Sequence, residues 1–187
     1  MISLNMLGLN EAEYLPKLLA YIKPFVDEIV ILVDDRTTDN SYEIALAYAD
    51  KVEKHTLNMD FGAARNRMIM MSRGQWIFQI DADEWPQMIL LRYLRRVDEE
   101  NKPSVGAVLT VHDNRIDGRP VLGHDKESHV RFFRREFRYV GRIHEQPSVP
   151  WKRIISADRS YQILHHKTSE RQEMQNVRYA EWPEQPR

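Results

Sequence analysis

At 187 residues the chain is long enough for one domain with a substantial core and short for two. Hydrophobic residues make up 42% and charged residues 29%, a globular balance, and a net charge of −1 excludes a global field toward nucleic acid or anionic membrane. The absence of cysteine excludes disulfides and thiolate metal sites.

The first residues, "MISLNMLGLNEAEY", put no basic region ahead of a long apolar stretch, so no signal peptide is expected. No apolar run approaches the ~20 residues of a membrane span, so no transmembrane segment is expected and the expected location is cytoplasmic. Residues 2–7 read as a strand. In 13–22, Tyr14, Leu15, Leu18, Leu19 and Ile22 share one helical face, and Pro16 fits in the first turn. Residues 28–33, "EIVILV", are a continuous β-branched run suited to a strand covered on both faces. Residues 39–49 open with capping residues, Asp39 among them, and continue as a helix. A short strand is expected at 51–55. In a helix over 61–71, Phe61, Ala64, Met68 and Met71 share a face. Residues 75–80, "QWIFQI", predict another buried strand, and 86–97 a helix with Pro86 at its first position. The second half differs: strands are expected at 104–113, 129–135 and 160–166 without helices of comparable length between them. A last helix is expected at 169–182, followed by a frayed "PEQPR". The alternation predicts an α/β three-layer α/β/α sandwich on a mostly parallel, mixed central sheet, in one domain over 1–187.

In an open α/β sheet, ligands bind beyond the carboxyl ends of the strands. Asp34 and Asp35 follow one predicted strand, and Asp81, Asp83 and Glu84 follow another. If those strands are parallel neighbours, both acidic groups open into one crevice. Two carboxylates in Asp-x-Asp spacing suit a hard divalent cation, which relieves their repulsion and keeps places for phosphate oxygens. A solvated turn, with Asp83 or Glu84 capping the helix at Pro86, fits the same spacing. Arg65, one turn into its helix, suits a phosphate, the acidic cluster or plain solvent.

Together "ISLNMLGLNEAEYLPKLL", "VDEIVILVDDRTTDNSYEIALAYADKV", "DFGAARNRMIMMSRGQWIFQIDADE" and "RFFRREFRYVGRIHEQP" resemble glycosyltransferase family 2, enzymes of the GT-A (Rossmann-like) fold that use nucleotide-diphospho-sugars. The resemblance covers 2 to about 100 and 129–147. It implies a nucleotide-sugar-binding half over 1–100 and an acceptor-side half over 101–187. It implies that Leu4, Asn10 and Glu11 line a nucleobase pocket and that Asp34 and Asp35 touch a uracil-like base or ribose. Arg65 would lie near the diphosphate. Asp81, with Ala82 beside it, would hold the ribose or a metal-bound water, and Asp83 would bind Mn²⁺ or Mg²⁺. The donor expected is a UDP-sugar. The sequence departs from the family in lacking a lysine ahead of Asn10-Glu11 and in carrying Arg36 where a small residue is usual. Residues 112–128 match no part of the pattern.

Inverting transfer needs a base beside the acceptor hydroxyl. Glu145 of "GRIHEQP" is the candidate, with an ion pair to Arg142 or a nearby arginine as its structural alternative. His144 suits a phosphate, Glu145 or simple packing. In "ILHHK" adjacent histidines face opposite ways on a strand, so one at most, His165 rather than His166, is a third metal ligand. Arg131, Arg134, Arg135 and Arg138 are either a phosphate-facing stripe or a solvated strand, and nucleic acid enters only as a modified-base acceptor. The expected function is metal-dependent, inverting glycosyl transfer from a nucleotide-diphospho-sugar to a hydroxyl of a glycan, protein or modified nucleobase. The rivals are a nucleotidyltransferase, disfavoured by a first loop with a single glycine and no base, and a non-catalytic nucleotide-sugar-binding module.

Overall fold

A computed structural model describes residues 1–180. Its first part alternates strand and helix: β1 (Ile2–Gly8), α1 (Leu15–Ile22), β2 (Glu28–Asp34), α2 (Ser41–Tyr48), β3 (Lys51–His55), α3 (Phe61–Met71), β4 (Trp76–Gln79), β5 (Glu84–Pro86) and α4 (Met88–Glu100). The rest is mostly strand: β6 (Ala107–Ile116), β7 (Arg119–Pro120), β8 (Lys126–Arg134), β9 (Tyr139–Val140), β10 (Gln146–Pro147), β11 (Ile154–Ser156) and β12 (Gln162–Lys167), closed by α5 (Ser169–Ala180). The main sheet runs β3-β2-β1-β4-β8-β6-β12-β5, with β7 and β11 also paired to β6. Its first four strands are parallel, and β8 enters antiparallel between β4 and β6. The expected mixed sheet with antiparallel additions is therefore present.

Helices cover both faces. Leu15, Leu18, Leu19 and Ile22 of α1 and Leu90, Leu91 and Leu94 of α4 are buried with Ile2, Leu4 and Met6 of β1. On the opposite face, Ala64 and Met68 of α3 pack with Val30 and Leu32, and Phe61 and Met71 are partly buried beside them. The helical faces expected for α1 and α3 are the faces that bury.

The strand expected at 104–113 runs three residues later, as β6, the strand expected at 129–135 starts three residues earlier, as β8, and the start of α4 also differs from expectation. Pro86 does not open a helix; residues 84–86 form β5, antiparallel to β12, and α4 begins at Met88 after Gln87. Proline is tolerated there because β5 is the edge strand of the sheet. Its carbonyl accepts a hydrogen bond from the Tyr21 hydroxyl (3.0 Å). Neither Asp83 nor Glu84 therefore caps α4. The last helix is described to Ala180, and "PEQPR" lies outside the described residues.

Candidate active site

The parallel register of β1 with β2 and β4 brings three carboxyl ends together. Beyond them lies a cavity of about 460 Å³, lined by residues of the β1–α1 loop, the turn after β4, α3, β8, the 139–147 segment, β12 and α5. Asp81, Ala82 and Asp83 occupy the turn between β4 and β5 and line this cavity.

Asp81 sits between two arginines. Arg65 of α3 donates from Nη2 and Nη1 to its Oδ1 (3.3 and 3.4 Å), and Arg131 donates from Nη2 to its Oδ2 (3.4 Å). Arg131 also donates to Glu84 Oε1. Glu84 Oε2 accepts the Asp81 backbone N–H (2.9 Å), and His112 Nε2 lies 3.2 Å from its other oxygen. Burial alone would raise the Glu84 carboxyl, but Arg131 and then His112 outweigh it and hold it well below the usual carboxylate range. Arg131 owes its aim to a local defect. Leu109 pairs with Val130 but Val108 with Phe132, so β8 bulges at Arg131. Such a bulge re-aims a side chain beside a site.

Asp83 belongs to a different set. Its Oδ2 accepts from Arg171 Nε of α5 (3.1 Å), with Lys167 Nζ 3.9 Å away, and its Oδ1 lies 3.5 Å from His165 Nε2. Burial would raise this carboxyl; the bond and charge of His165, then Lys167 and Arg171, bring it down to about 2. Arg171 Nη2 reaches on to both oxygens of Glu11 (3.1 and 2.9 Å). Burial pushes Glu11 up to about 7, against the pull of Arg171, and Asp83 and Asp81 add to the rise. The Glu11 backbone is fixed by Ser41 Oγ, which accepts its N–H (2.7 Å).

The 139–147 segment supplies the third wall. Glu145 Oε1 accepts from Arg65 Nε (2.5 Å), so one guanidinium joins Glu145 to Asp81. The partner of Glu145 is thus Arg65 rather than Arg142. His144, in a left-handed turn with φ +57°, also lines the cavity. So does Tyr139, whose phenol burial pushes up to about 12.

Of the expected nucleotide-side residues, Glu11, Asp34, Arg65, Asp81, Ala82 and His144 share this cavity. Asp34 is tied to Arg36 through Nε (2.9 Å) and Nη2 (2.7 Å). Three others lie elsewhere. Leu4 is fully buried in the core, on the same strand face as Ile2 and Met6. Asn10 is exposed and accepts the Thr38 N–H (2.8 Å), stitching two loops together. Asp35 is exposed and accepts from the Thr56 hydroxyl. Asp39 does act near a helix start, accepting the Ser41 N–H (3.0 Å). His165 faces Asp83, whereas His166 faces Asp113 (3.5 Å). The arginines of 131–138 form no common stripe. Arg134 stacks on Trp76 and binds the Val105 carbonyl, Arg135 binds the Ser72 carbonyl, and Arg138 those of Arg135 and Phe137. Sequence reasoning did not single out Lys167, Arg171, Tyr139 or His112 for this site. Only the first two carried a local signal, as cations just after a strand-end histidine pair.

The donors that would hold a cation fit in kind, since carboxylates and an imidazole suit Mn²⁺ or Mg²⁺. Among the described residues no three histidine or acidic side chains already converge on one point. The oxygens of Asp83 face His165, Lys167 and Arg171 instead.

A sheet whose parallel strand ends open on an acid- and arginine-lined cavity defines an α/β protein of the open-sheet type, in which ligands bind beyond the carboxyl ends of the strands. The family model for glycosyl transferase family 2 matches residues 7–154, and the chain belongs to that family. It is 28% identical over 163 residues to the SPbeta prophage-derived glycosyltransferase SunS of Bacillus subtilis, covering 79% of this chain and 36% of that one. A TPR repeat-containing protein of Synechococcus elongatus is 33% identical over 118 residues, 63% of this chain and 28% of its own length. The chain thus spans about a third or less of these relatives. Among solved structures, S. aureus TarS 1–349 in complex with UDP-GlcNAc superimposes with a TM-score of 0.59 at 15% identity, covering 89% of this chain and 58% of that one. Glucosyl-3-phosphoglycerate synthase of Mycobacterium tuberculosis, in complex with Mn²⁺, UDP and glucosyl-3-phosphoglycerate, gives 0.50 at 21% identity, with 60% and 44% covered. These likenesses establish the GT-A fold. Among the described residues no helix is long and apolar enough to cross a membrane.

Proposed function

We propose that this chain carries the donor and catalytic site of an inverting glycosyltransferase that takes a sugar from a UDP-sugar to an acceptor hydroxyl. The observation that carries this reading is the Arg65 bridge, which sets Glu145 and Asp81 in one cavity with Asp83. Residues 1–100 supply the nucleotide-sugar half and the later residues the acceptor half. Glu11 and Asp34 line the nucleoside end. Arg65 faces the diphosphate region, and Asp81, pinned by Arg65 and Arg131, presents a fixed carboxylate to the ribose. Asp83, with His165 and Asp81, would hold Mn²⁺ or Mg²⁺. When bound, that cation supplies Lewis-acid stabilisation of the charge on the departing diphosphate.

Glu145 does the proton transfer. Arg65 engages Oε1, which leaves Oε2 to take the acceptor proton as the hydroxyl oxygen attacks the anomeric carbon. The bond from that carbon to the diphosphate oxygen breaks on the opposite face, and the configuration inverts. His144 lies beside this base at the mouth of the donor site. The nearby fold likenesses include complexes with UDP and UDP-GlcNAc, which supports a uridine donor. Family membership sets aside the nucleotidyltransferase reading.

Thermal shift with UDP, GDP and CDP, each with and without Mn²⁺, tests the donor site. UDP with Mn²⁺ is expected to stabilise the protein most. No stabilisation by any nucleoside diphosphate would overturn the reading, including a merely binding role.

A further inference from the structure

The proposed base lies on a segment that is not part of the main sheet. β9 and β10 form a separate two-stranded hairpin, with Tyr139 opposite Pro147 and Val140 opposite Gln146. Its position therefore depends on what it rests against, and α3 supplies much of that support.

The central contact is Asn66. Its Oδ1 accepts the backbone N–H of Tyr139 (2.8 Å) and its Nδ2 donates to the carbonyl of the same residue (3.0 Å). One side-chain amide thus reproduces both bonds that a neighbouring strand would make. One turn earlier, the N–H groups of Phe61 and Gly62 both point at the Arg142 carbonyl (2.9 and 3.4 Å). These are first-turn groups with no partner inside the helix. The approach is close enough that a Cβ on Gly62 would lie 2.0 Å from the Gly141 carbonyl oxygen. Gly141 itself has φ +95°, which glycine adopts freely. Between these fixed points, Arg65 reaches Glu145. Asn66 and Gly62 flank the arginine in sequence and hold the stretch 139–142 that leads into the proposed base.

We infer that Asn66 is a positioning residue for Glu145, with Gly62 as its steric partner. Asn66 touches no substrate; it acts through the Tyr139 backbone. The inference rests on the reading of Glu145 as the base. Without the amide, β9 loses both bonds to α3, and the Glu145 carboxylate is no longer held at a set distance from the donor. A misplacement of about 1 Å is enough to cost roughly a hundredfold in rate.

Two measurements on the whole chain test this. In hydrogen exchange, Asn66→Ala and Gly62→Ala should each speed exchange across 139–147 by about tenfold or more, with β1, β2 and β4 unchanged, since about 1.4 kcal/mol corresponds to a factor of ten. Gly62→Ala is informative because alanine favours a helix over glycine, so a loosened segment cannot be blamed on a melted α3. Unchanged exchange in 139–147 in both variants overturns the inference. The second measurement is UDP release from UDP-N-acetylglucosamine or UDP-glucose, with water as acceptor. Asn66→Ala should lower kcat by roughly 10- to 100-fold and move the donor KM by less than about threefold, the mark of misplacement rather than lost binding. In a Glu145→Gln background the same change should cost almost nothing further, because a displaced base and an absent base are equivalent. Equal losses in both backgrounds make Asn66 merely structural and overturn the inference while Glu145 stands. A Glu145→Gln variant as fast as the parent sinks the base reading, and this inference with it.

Discussion

Asp81 and Asp83 are two residues apart on one turn, yet they are held in unlike ways. Asp81 is pinned by Arg65 and Arg131, which project from α3 and from a bulge in a central strand, and behind them Glu84 and His112 are fully buried. Asp83 is pinned by Arg171 of α5 and Lys167 of β12, the strand leading into that helix, with its imidazole neighbour His165 on the same strand. Asp81 is about a third exposed and its two arginines come from α3 and a central strand, whereas Asp83 is buried, with Lys167 and His165 on β12 inside the main sheet and Arg171 on α5. The comparison separates an acid held by two arginines from an acid whose one arginine, on α5, is backed by an imidazole and a lysine.

The largest effect belongs to the α3 side. Glu145→Gln keeps a partner for Arg65 but removes the base. Turnover should fall by about 10²- to 10⁴-fold, the usual worth of a general base. Binding of UDP, followed by calorimetry, should stay within a few-fold. Unchanged turnover would move the chemistry out of this wall altogether. Next comes stability. Glu84→Ala leaves the largely buried Arg131 with its longer ion pair to Asp81 (3.4 Å), and removing one partner of a buried pair costs on the order of 3–5 kcal/mol. Urea unfolding is the measurement, and a loss under 1 kcal/mol would mean that water reaches Arg131 and that the supposed difference between the two sets is false.

Much of this was legible in the sequence and some was not, for definable reasons. The strand–helix alternation of the first hundred residues carries its own periodicity, so β1 to β4 and α1 to α3 fall where the pattern puts them. β5 is three residues ending in proline, too short to show a period. The turn acids were recognisable as a group, but which cations they meet is a matter of pairing between residues far apart, as with Arg171 and Asp83, 88 positions apart. The aim of Arg131 depends on a bulge, which leaves no periodic trace. Leu4 had a usable signal: strand alternation aligns it with Ile2 and Met6, and that places it in the core rather than on a pocket wall. Asn10 and Asp35 look like site residues because polar groups at strand ends serve ligands and turns alike; here they are occupied by Thr38 and Thr56.

The α5 side should respond to pH where the α3 side does not. The folded Glu11 carboxyl, raised to about 7 from an ordinary 4.5, binds a proton that the unfolded chain has released between those values. Its contribution is therefore complete below pH 4.5 and lost as pH rises through 7. The loss is on the order of 2–3 kcal/mol, allowing for the part of Glu11 that water reaches. Glu11→Gln mimics the protonated form. Metal-free denaturation should show the variant matching the parent near pH 4.5 and exceeding it at pH 8. Parallel curves over that range would mean that Arg171 fully compensates Glu11. Asp83 works in the opposite sense: lowered to about 2, it stabilises above pH 4 and gives that up as pH falls toward 2.

The smallest expected effect tests the arginine on α5 directly. Arg171→Ala leaves Asp83 with His165 and Lys167, and it leaves Glu11 able to escape its charge by taking a proton, since that carboxyl is already raised to about 7. The stability cost should stay near 1 kcal/mol or below, in contrast to Glu84→Ala, because neither acid is left as an unrelieved buried charge. The same change removes the cation that competes for Asp83. Mn²⁺ should then bind more tightly, by about fivefold if the displaced pair is worth ~1 kcal/mol. Titration calorimetry without nucleotide reads this directly, and Asp83→Asn in the same background should abolish it. Weaker Mn²⁺ binding in Arg171→Ala would instead make the arginine an organiser of the metal site. That result would erase the distinction between the acids, because α5 would then be as integral to Asp83 as the bulged strand is to Asp81.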